Sequence, residues 1–525
     1  MNARVLLVAS EAVPLVKTGG LADVITSLAA TLREHGSEAT ILLPAYPGVA
    51  EGAGPLHEVG RLPDLPGGSG VLLQGCIPDS SVPVVLLKTA GFDRRSANPY
   101  VDVDGSEYTD NALCFAALAQ AAAEICAGNT QLARPHVVHA NDWHAALIPT
   151  YLKLKGIRDV GTVLTIHNLA FQGNYPLDVA PALGIPPEML GPDGLEFWGQ
   201  LSFLKAGILH ADRITTVSHS YAREILTPRF GHGMEGILNA RKQDLLAIAN
   251  GVDTETWNPA TDELIARRFT PDDLRGKSAC KRELQQMFGL PVDPFAPILA
   301  MGSRITHQKM ADVALAALPH ILNRHPRAQL VVLGRGDRAY EQGLFELAGQ
   351  FPSRIGLFIG YDEHRAHALH AGADMLLHGT RFEPFGLTPL YSMRYGTIPI
   401  ASRVGGMIDS IPDAGLKGAV PNGACGVLFD GEEAADMAGA VSRAFELHAA
   451  PRSWHTMQCN AMSVDFSWDG PAEQYINAYA AVAAPSAKSL FVAARKPATP
   501  PTAAAVSPAT VPVRELQPAL QFMTV

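Results

Sequence analysis

Short apolar runs alternate along the chain with longer stretches in which apolar residues return every three or four positions. Runs at 5–9, 40–43, 84–87, 136–139, 162–166 and 214–217 read as buried strands. Residues 21–35, 111–127 and 143–154 lie among them and carry the helical period. The pattern then restarts. Strands are expected at 298–301, 330–333, 355–358, 375–377 and 398–401, with helices at 311–324, 340–351 and 387–395. Strands that alternate with helices in this way build a parallel sheet covered on both faces. The expected fold is therefore α/β, with two Rossmann-like, doubly wound domains.

The break between the two patterns falls at Asn250-Gly251, a strong turn pair, followed by a charged, proline-punctuated segment to residue 297. This places a first domain over 1–250 and a second from 251 onward. Ligands of doubly wound sheets sit at the carboxyl ends of the strands, so two such domains facing each other share one cleft. From residue 485 to 525 the chain is rich in Ala, Pro and Thr and loses all periodicity. Too little apolar surface is present there to offset ordering entropy, and a disordered tail is expected.

Composition narrows the function. The 525 residues are 47% hydrophobic and 18% charged, which suits a globular chain and excludes global disorder. A net charge of -10 without any basic run argues against a nucleic-acid partner or an anionic membrane surface. No stretch approaches the ~18 uninterrupted apolar residues of a membrane span. The run at 5–9 stops at Ser10-Glu11, short of the ~7–15 residues of a signal-peptide core. Six scattered cysteines without a CxxC pair suit a reducing cytoplasm rather than disulfides or a zinc ribbon.

Five loops at strand ends carry candidate chemistry. Lys17-Thr18-Gly19-Gly20 opens a helix, where close backbone approach, free amides and a full positive charge can meet an anion. An ordinary strand-to-helix turn with a surface lysine explains the same residues equally well. Asn141-Asp142-Trp143-His144 and His167-Asn168 end neighbouring strands and face the crevice, although Asp142 also suits a helix cap. In the second half, Arg304 and Lys309 share one loop and can neutralise a departing diphosphate, unless they are simply solvated. Finally, Glu383 precedes Gly386, Leu387 and Thr388 at a helix start, where amides can hold phosphate or sugar and the carboxylate can accept from hydroxyls.

Two patterns invite misreading. Asp102-Val103-Asp104 is a DxD, a pattern that can hold a metal–diphosphate complex, but no clear strand leads into it and a solvated loop is the simpler reading. His364, His367 and His370 recur every third residue and fan over ~120° of a helix, which does not converge on one ion. They are expected at the surface or a helix end, and no metal site is expected.

Taken in order, the motifs resemble those of bacterial glycogen synthases and plant starch synthases, retaining glucosyltransferases built from two Rossmann-like domains around a central cleft (the GT-B type). The resemblance rests on KTGGLADV (17–24), YTDN (108–111), NDWH (141–144), TIHNLAFQG (165–173), SFLKAG (202–207), NGVD (250–253), SRITHQK (303–309), IGYDE (359–363) and RFEPFGLTPLY (381–391). It covers residues 4–482, and the segment 464–484 is similar to the family's closing helix, which crosses back onto the first domain. The second domain then spans 251–463.

The resemblance implies transfer of glucose from ADP-glucose to the non-reducing end of an α-1,4-glucan, with retention and no cofactor. It places Lys17, Gly19, Gly20, Arg304 and Lys309 at the donor diphosphate, and Tyr361 near the base. His167 and Asp142 line the glucose pocket, Glu383 takes a sugar hydroxyl, Gly386, Leu387 and Thr388 complete the cradle, and Asp23 lies toward the acceptor. Departures from the family pattern are Met310 for a glycine, Phe385 for a cysteine, His378-Gly379-Thr380, Asn141 for a histidine, and Trp198. Two alternatives stay open: UDP-glucose or another acceptor, and a weakly active, glucan-binding regulatory paralogue.

Overall fold

Each apolar run of the first half forms a strand because both of its faces are buried; Val5, Leu7 and Val8 are at most 1% exposed. The protein, seen as a computed structural model, is described over residues 2–95, 98–415 and 420–493. Among these, nine strands share the first sheet, in the order Leu245–Ala247, Arg213–Thr216, Gly161–Ile166, Val137–Asn141, Arg4–Val8, Glu38–Pro44, Pro83–Thr89, Gly68–Cys76 and His57–Leu65. The first seven run parallel and the last two add antiparallel. That antiparallel hairpin is an addition to the sequence reading; Gly67 and Gly68, at φ 79° and 130°, supply the backbone its turn requires.

The second sheet is wholly parallel, in the order Ile355–Ile359, Gln329–Gly334, Ile298–Gly302, Met375–His378, Ile398–Ser402 and Val427–Phe429. In each sheet the strand order reverses direction at one place. The first reverses between Arg4–Val8 and Val137–Asn141, the second between Ile298–Gly302 and Met375–His378. Loops leaving those four strands diverge to opposite faces and open a crevice, which is where sheets of this kind hold ligands.

Three expectations need correction. Residues 143–154 are not one helix: a turn of helix at Asp142–Ala145 is followed by a second helix at Ile148–Leu154. Pro149 sits in the first turn of the latter, where its missing N–H breaks no bond. His367 and His370 are not surface residues. Of the three only His364 is exposed; His367 stacks on Trp257 at 4.1 Å and lies 2.7 Å from Asp262, while His370 lies 2.7 Å from Ser392 Oγ. Trp257 comes from the segment before the second sheet, so this burial depends on long-range packing rather than on helical spacing.

The third correction concerns residue 485. Order continues past it through a short helix, Lys488–Ala493, whose Phe491 is fully buried 6.0 Å from the Tyr479 ring. Pro485 follows the helix Asp469–Val482 without ending the packed chain, and Ala487 and Phe491 are both buried beyond it. Expected disorder at 494–525 lies outside the described residues.

The chain passes between the sheets twice, and the two crossings touch. Val252 N–H donates to Phe466 O at 2.7 Å, and Gly251 lies so close beneath Trp468 that a β-carbon would come within 2.6 Å of the ring. The helix Asp469–Val482 then returns to the first sheet, where Tyr479 OH lies 2.9 Å from His139 Nδ1. No helix among the described residues is long and apolar enough to cross a membrane.

Candidate functional site

The loop from the strand Arg4–Val8 to the helix Gly20–Glu34 is pinned from beneath by a buried carboxylate, Glu11. Glu11 accepts from Thr18 Oγ1 and Thr18 N–H, both at 2.5 Å, from Gly19 N–H at 3.2 Å, and from the Tyr100 hydroxyl. The amides of Thr18 and Gly19 are therefore already taken. What the loop offers a ligand is the Lys17 ammonium and the helix N-terminus beyond Gly19. Lys17 pairs with Asp23 at 3.0 Å, and its ammonium lies 5.6 Å from the centre of the Tyr361 ring in the other half of the molecule. Burial raises the Asp23 pKa, against the pull of Lys17.

At the neighbouring strand end, Asn141 is fully buried and donates through Nδ2 to Val8 O and His139 O, 3.2 Å each. Those two bonds fix the amide, so its Oδ1 must face His167 Nε2, 3.0 Å away. Nε2 then carries the proton and Nδ1 keeps its lone pair. Burial depresses the His167 pKa to about 3, so the ring is a neutral acceptor for a donor such as a sugar hydroxyl. Asp142 does a different job. Its Oδ1 accepts from the amides of His167, at 2.7 Å, and Asn168, at 3.3 Å, and holds the next strand's turn in place. Burial lifts its pKa to about 7 despite those two bonds, and its φ of 55° is a left-handed conformation maintained by the fold.

Lys309 and Glu383 meet at the second sheet's crevice. The Lys309 ammonium is bound to Glu383 Oε2, and His378 Nε2 lies 3.1 Å from that oxygen and 3.4 Å from the Lys309 nitrogen. Burial opposes the Glu383 charge, but Lys309 and then His378 outweigh it and hold the carboxyl below the ordinary range. Burial, followed by the Lys309 charge, lowers the His378 pKa. Arg304 is exposed on the loop that ends in Lys309 and contacts Gln308 Oε1 at 3.2 Å. Gly386 has φ 91°, and a β-carbon there would strike Met407, so glycine is required where the helix Leu387–Arg394 begins with Leu387 and Thr388. Tyr361 is 60% exposed, its hydroxyl on Glu363.

The halves are closed on one another at this point. A β-carbon on Gly20 would come within 2.8 Å of Leu387. Ser218 Oγ donates to Pro384 O at 2.7 Å, Ser220 donates N–H and Oγ–H to Asp409, and Gly405 N–H donates to Glu224 at 2.8 Å. One cleft thus collects Lys17, Gly20 and Asp23 from the first half with Tyr361 and Leu387 from the second. Glu11 and His378, which sequence reasoning did not assign a role, support it from below. Their signal was available: a charged or titratable residue within three positions of a strand end. Met310 retains the left-handed backbone of a glycine, at φ 53°, but its side chain is fully buried beside Gly379 and Ser402, away from the cleft. Asp102, in the DxD, accepts from its own loop amides, Asp104 and Ser106.

Comparison with known proteins shows the family and the fold. Residues 4–240 match the family model described as starch synthase catalytic domain, and 285–456 match glycosyl transferases group 1. A glycogen synthase from Ralstonia nicotianae is 52% identical over 92% of this chain and 89% of its own length. Among solved structures, the catalytic domain of starch synthase IV from Arabidopsis thaliana, bound to ADP and acarbose, superposes with a TM-score of 0.81 at 26% identity, covering 92% of this chain and 99% of that one. Sucrose-phosphate synthase from Thermosynechococcus elongatus shares the fold at a TM-score of 0.57 and 17% identity, covering 91% of this chain and 98% of that one.

Proposed function

The chain belongs to the glycogen synthase family of retaining glycosyltransferases, and on that premise we propose that it transfers glucose from ADP-glucose to the non-reducing end of an α-1,4-glucan in the cytoplasm. The buried Lys309–Glu383 pair at the second sheet's crevice carries the reading. A carboxylate kept ionised beneath a sugar accepts from its hydroxyls, while the cation beside it faces the diphosphate. Arg304 from the same loop and Lys17 from across the cleft complete the positive surround. The first domain presents the acceptor, with Asp23 on that side, and the second holds the donor, its base beside Tyr361.

The bond from the sugar's anomeric carbon to the diphosphate breaks as the acceptor hydroxyl bonds to that carbon on the same face. The acceptor's proton passes to the departing phosphate oxygen. Because attack and departure share one face, no protein carboxylate is needed as a nucleophile, and Glu383, held by Lys309 and His378, acts as a hydrogen-bond acceptor. Catalysis then consists of positioning and of stabilising the leaving charge in a closed cleft. His167 accepts a hydroxyl of the moving glucose through Nδ1, and Asp142 positions His167 through its backbone.

Incubation with glycogen and labelled ADP-glucose or UDP-glucose tests this. The expected result is glucan extension from ADP-glucose in preference to UDP-glucose. Preference for UDP-glucose overturns the donor assignment, and glucan binding without extension overturns the enzyme.

A further inference from the structure

Trp198 is 82% exposed, whereas the other four tryptophans, Trp143, Trp257, Trp454 and Trp468, are at most 8% exposed. It stands at the tip of a hairpin formed by Glu196–Phe197 and Gln200–Ser202, in which Trp198 and Gly199 are the two turn residues. Both have positive φ, 52° and 79°. Asparagine and glycine adopt that turn readily; a bulky tryptophan does not. An exposed aromatic ring held in a disfavoured backbone points to a function outside the fold.

The hairpin is rigidly mounted. Lys205 is buried and donates to the carbonyls of Pro192 and Glu196, both at 2.6 Å, and Glu196 accepts from Gly199 N–H at 2.6 Å. The indole Nε1 and the Phe197 ring crowd Gly233, where a β-carbon would meet them at 3.2 and 3.1 Å. The preceding residue, His232, itself at φ 48°, accepts from Gln172 and packs its ring 5.5 Å from Phe382. Phe382 adjoins Glu383. A chain of contacts thus runs from the residue beside Glu383 through His232 to the indole.

We infer that Trp198 is a platform for the acceptor glucan, stacking on the apolar C–H face of a glucose ring several units away from the transferred one. This deepens the glucan-transfer reading and rests on it. A sugar ring needs only one aromatic face, whereas a stable protein partner buries about 800 Å² on each side, more than a hairpin tip offers. Hydroxyls at the ring's edge find the indole N–H and the His232 ring within the same patch. Long chains reach the platform; short ones end before it.

Two measurements test the assignment. In wild-type protein without donor, iodide should quench Trp198 selectively, and maltoheptaose should protect it. In Trp198→Asn, the ratio of KM for glycogen to KM for maltotriose should rise by roughly 3- to 10-fold, the range expected for one lost aromatic contact. Because asparagine suits a positive φ, the thermal midpoint should not fall. Phe345→Ala, which removes an exposed aromatic on the far helix Arg338–Gln350, should leave the ratio unchanged. An enzyme that extends glucan but shows no protection, or an unchanged ratio in Trp198→Asn, overturns the platform alone. A protein that extends no glucan overturns the underlying reading and the platform with it.

Discussion

Lys309 and Glu383, 74 positions apart in sequence, form an ion pair with both side chains only 11% exposed. Each is the other's main source of charge balance before any donor arrives. Breaking such a pair by deleting one partner costs about 3–5 kcal/mol, since the remaining charge stays buried. Glu383→Ala should therefore lower the thermal midpoint as well as kcat, the latter by about 10²–10³. Lys309→Met combined with Glu383→Gln should recover most of the midpoint and none of the turnover. Recovery of both, measured by calorimetry and initial rates, would show that the pair is structural only.

The same pair sets a pH dependence. The Glu383 pKa is depressed in the folded state, so its stabilisation is complete above the ordinary carboxyl value of about 4.3 and is lost as pH falls below it. Urea midpoints should drop steeply from pH 5 to pH 3 in the wild type and less steeply in Glu383→Gln.

Asp142 shows the opposite sign. Its folded pKa of about 7 lies above the ordinary aspartate value, so the native state binds the extra proton and loses stability as pH rises from about 4 to 7. Asp142→Asn keeps an acceptor for the His167 and Asn168 amides, removes the buried charge and suits the φ of 55°. Its thermal midpoint at pH 8 should equal or exceed that of the wild type. A clear drop at pH 8 would mean that the charge itself is needed.

Alternation of apolar runs and helical periods revealed both sheets, because strands buried on two faces leave continuous hydrophobic runs such as 5–9 and 162–166. The hairpin His57–Leu65 with Gly68–Cys76 left a weaker trace, since its strands are half-exposed and interrupted by Gly60, Pro63 and Gly70. Candidate site residues were legible as polar residues at strand ends. Their pairing was not. Lys309 with Glu383, Glu11 under Thr18 and His367 against Trp257 are fixed by crossing connections between distant strands, which leave no local pattern.

Met310 illustrates this limit. In sequence it reads as a lost glycine beside a phosphate-binding lysine; in the fold its thioether fills the core behind that loop. Met310→Gly relieves a left-handed backbone worth roughly 1–2 kcal/mol but empties a buried site worth roughly 2–5. The thermal midpoint should fall, and kcat should stay within a few-fold. A gain in kcat above tenfold would indicate that Met310 impairs the loop.

Phe491 fills a fully buried position against Tyr479, on the helix that returns to the first sheet. Removing residues 485–525 should lower the thermal midpoint by several degrees, and Phe491→Ala alone should reproduce most of the drop, at about 3–5 kcal/mol. An unchanged midpoint in both would mean that the last helix contributes no stability.

Turnover should need no divalent metal. A departing diphosphate gathers negative charge, and the cations proposed to meet it are Arg304 and Lys309 on one loop and Lys17 from across the cleft. Fixed cations in a closed cleft supply what a bound metal would otherwise supply, with no reorganisation during the reaction. In the DxD, Asp102 Oδ1 caps its own loop by accepting from the amides of Asp104 and Ser106. Arg304 is the cleanest of the three to remove, being exposed and free of any buried partner, so its loss reads catalysis rather than folding. Arg304→Ala should cost about 10²–10³ in kcat with an unchanged midpoint, while EDTA should cost almost nothing. Activity abolished by EDTA and restored by Mg²⁺ or Mn²⁺ would overturn the cation-only account and return attention to Asp102 and Asp104.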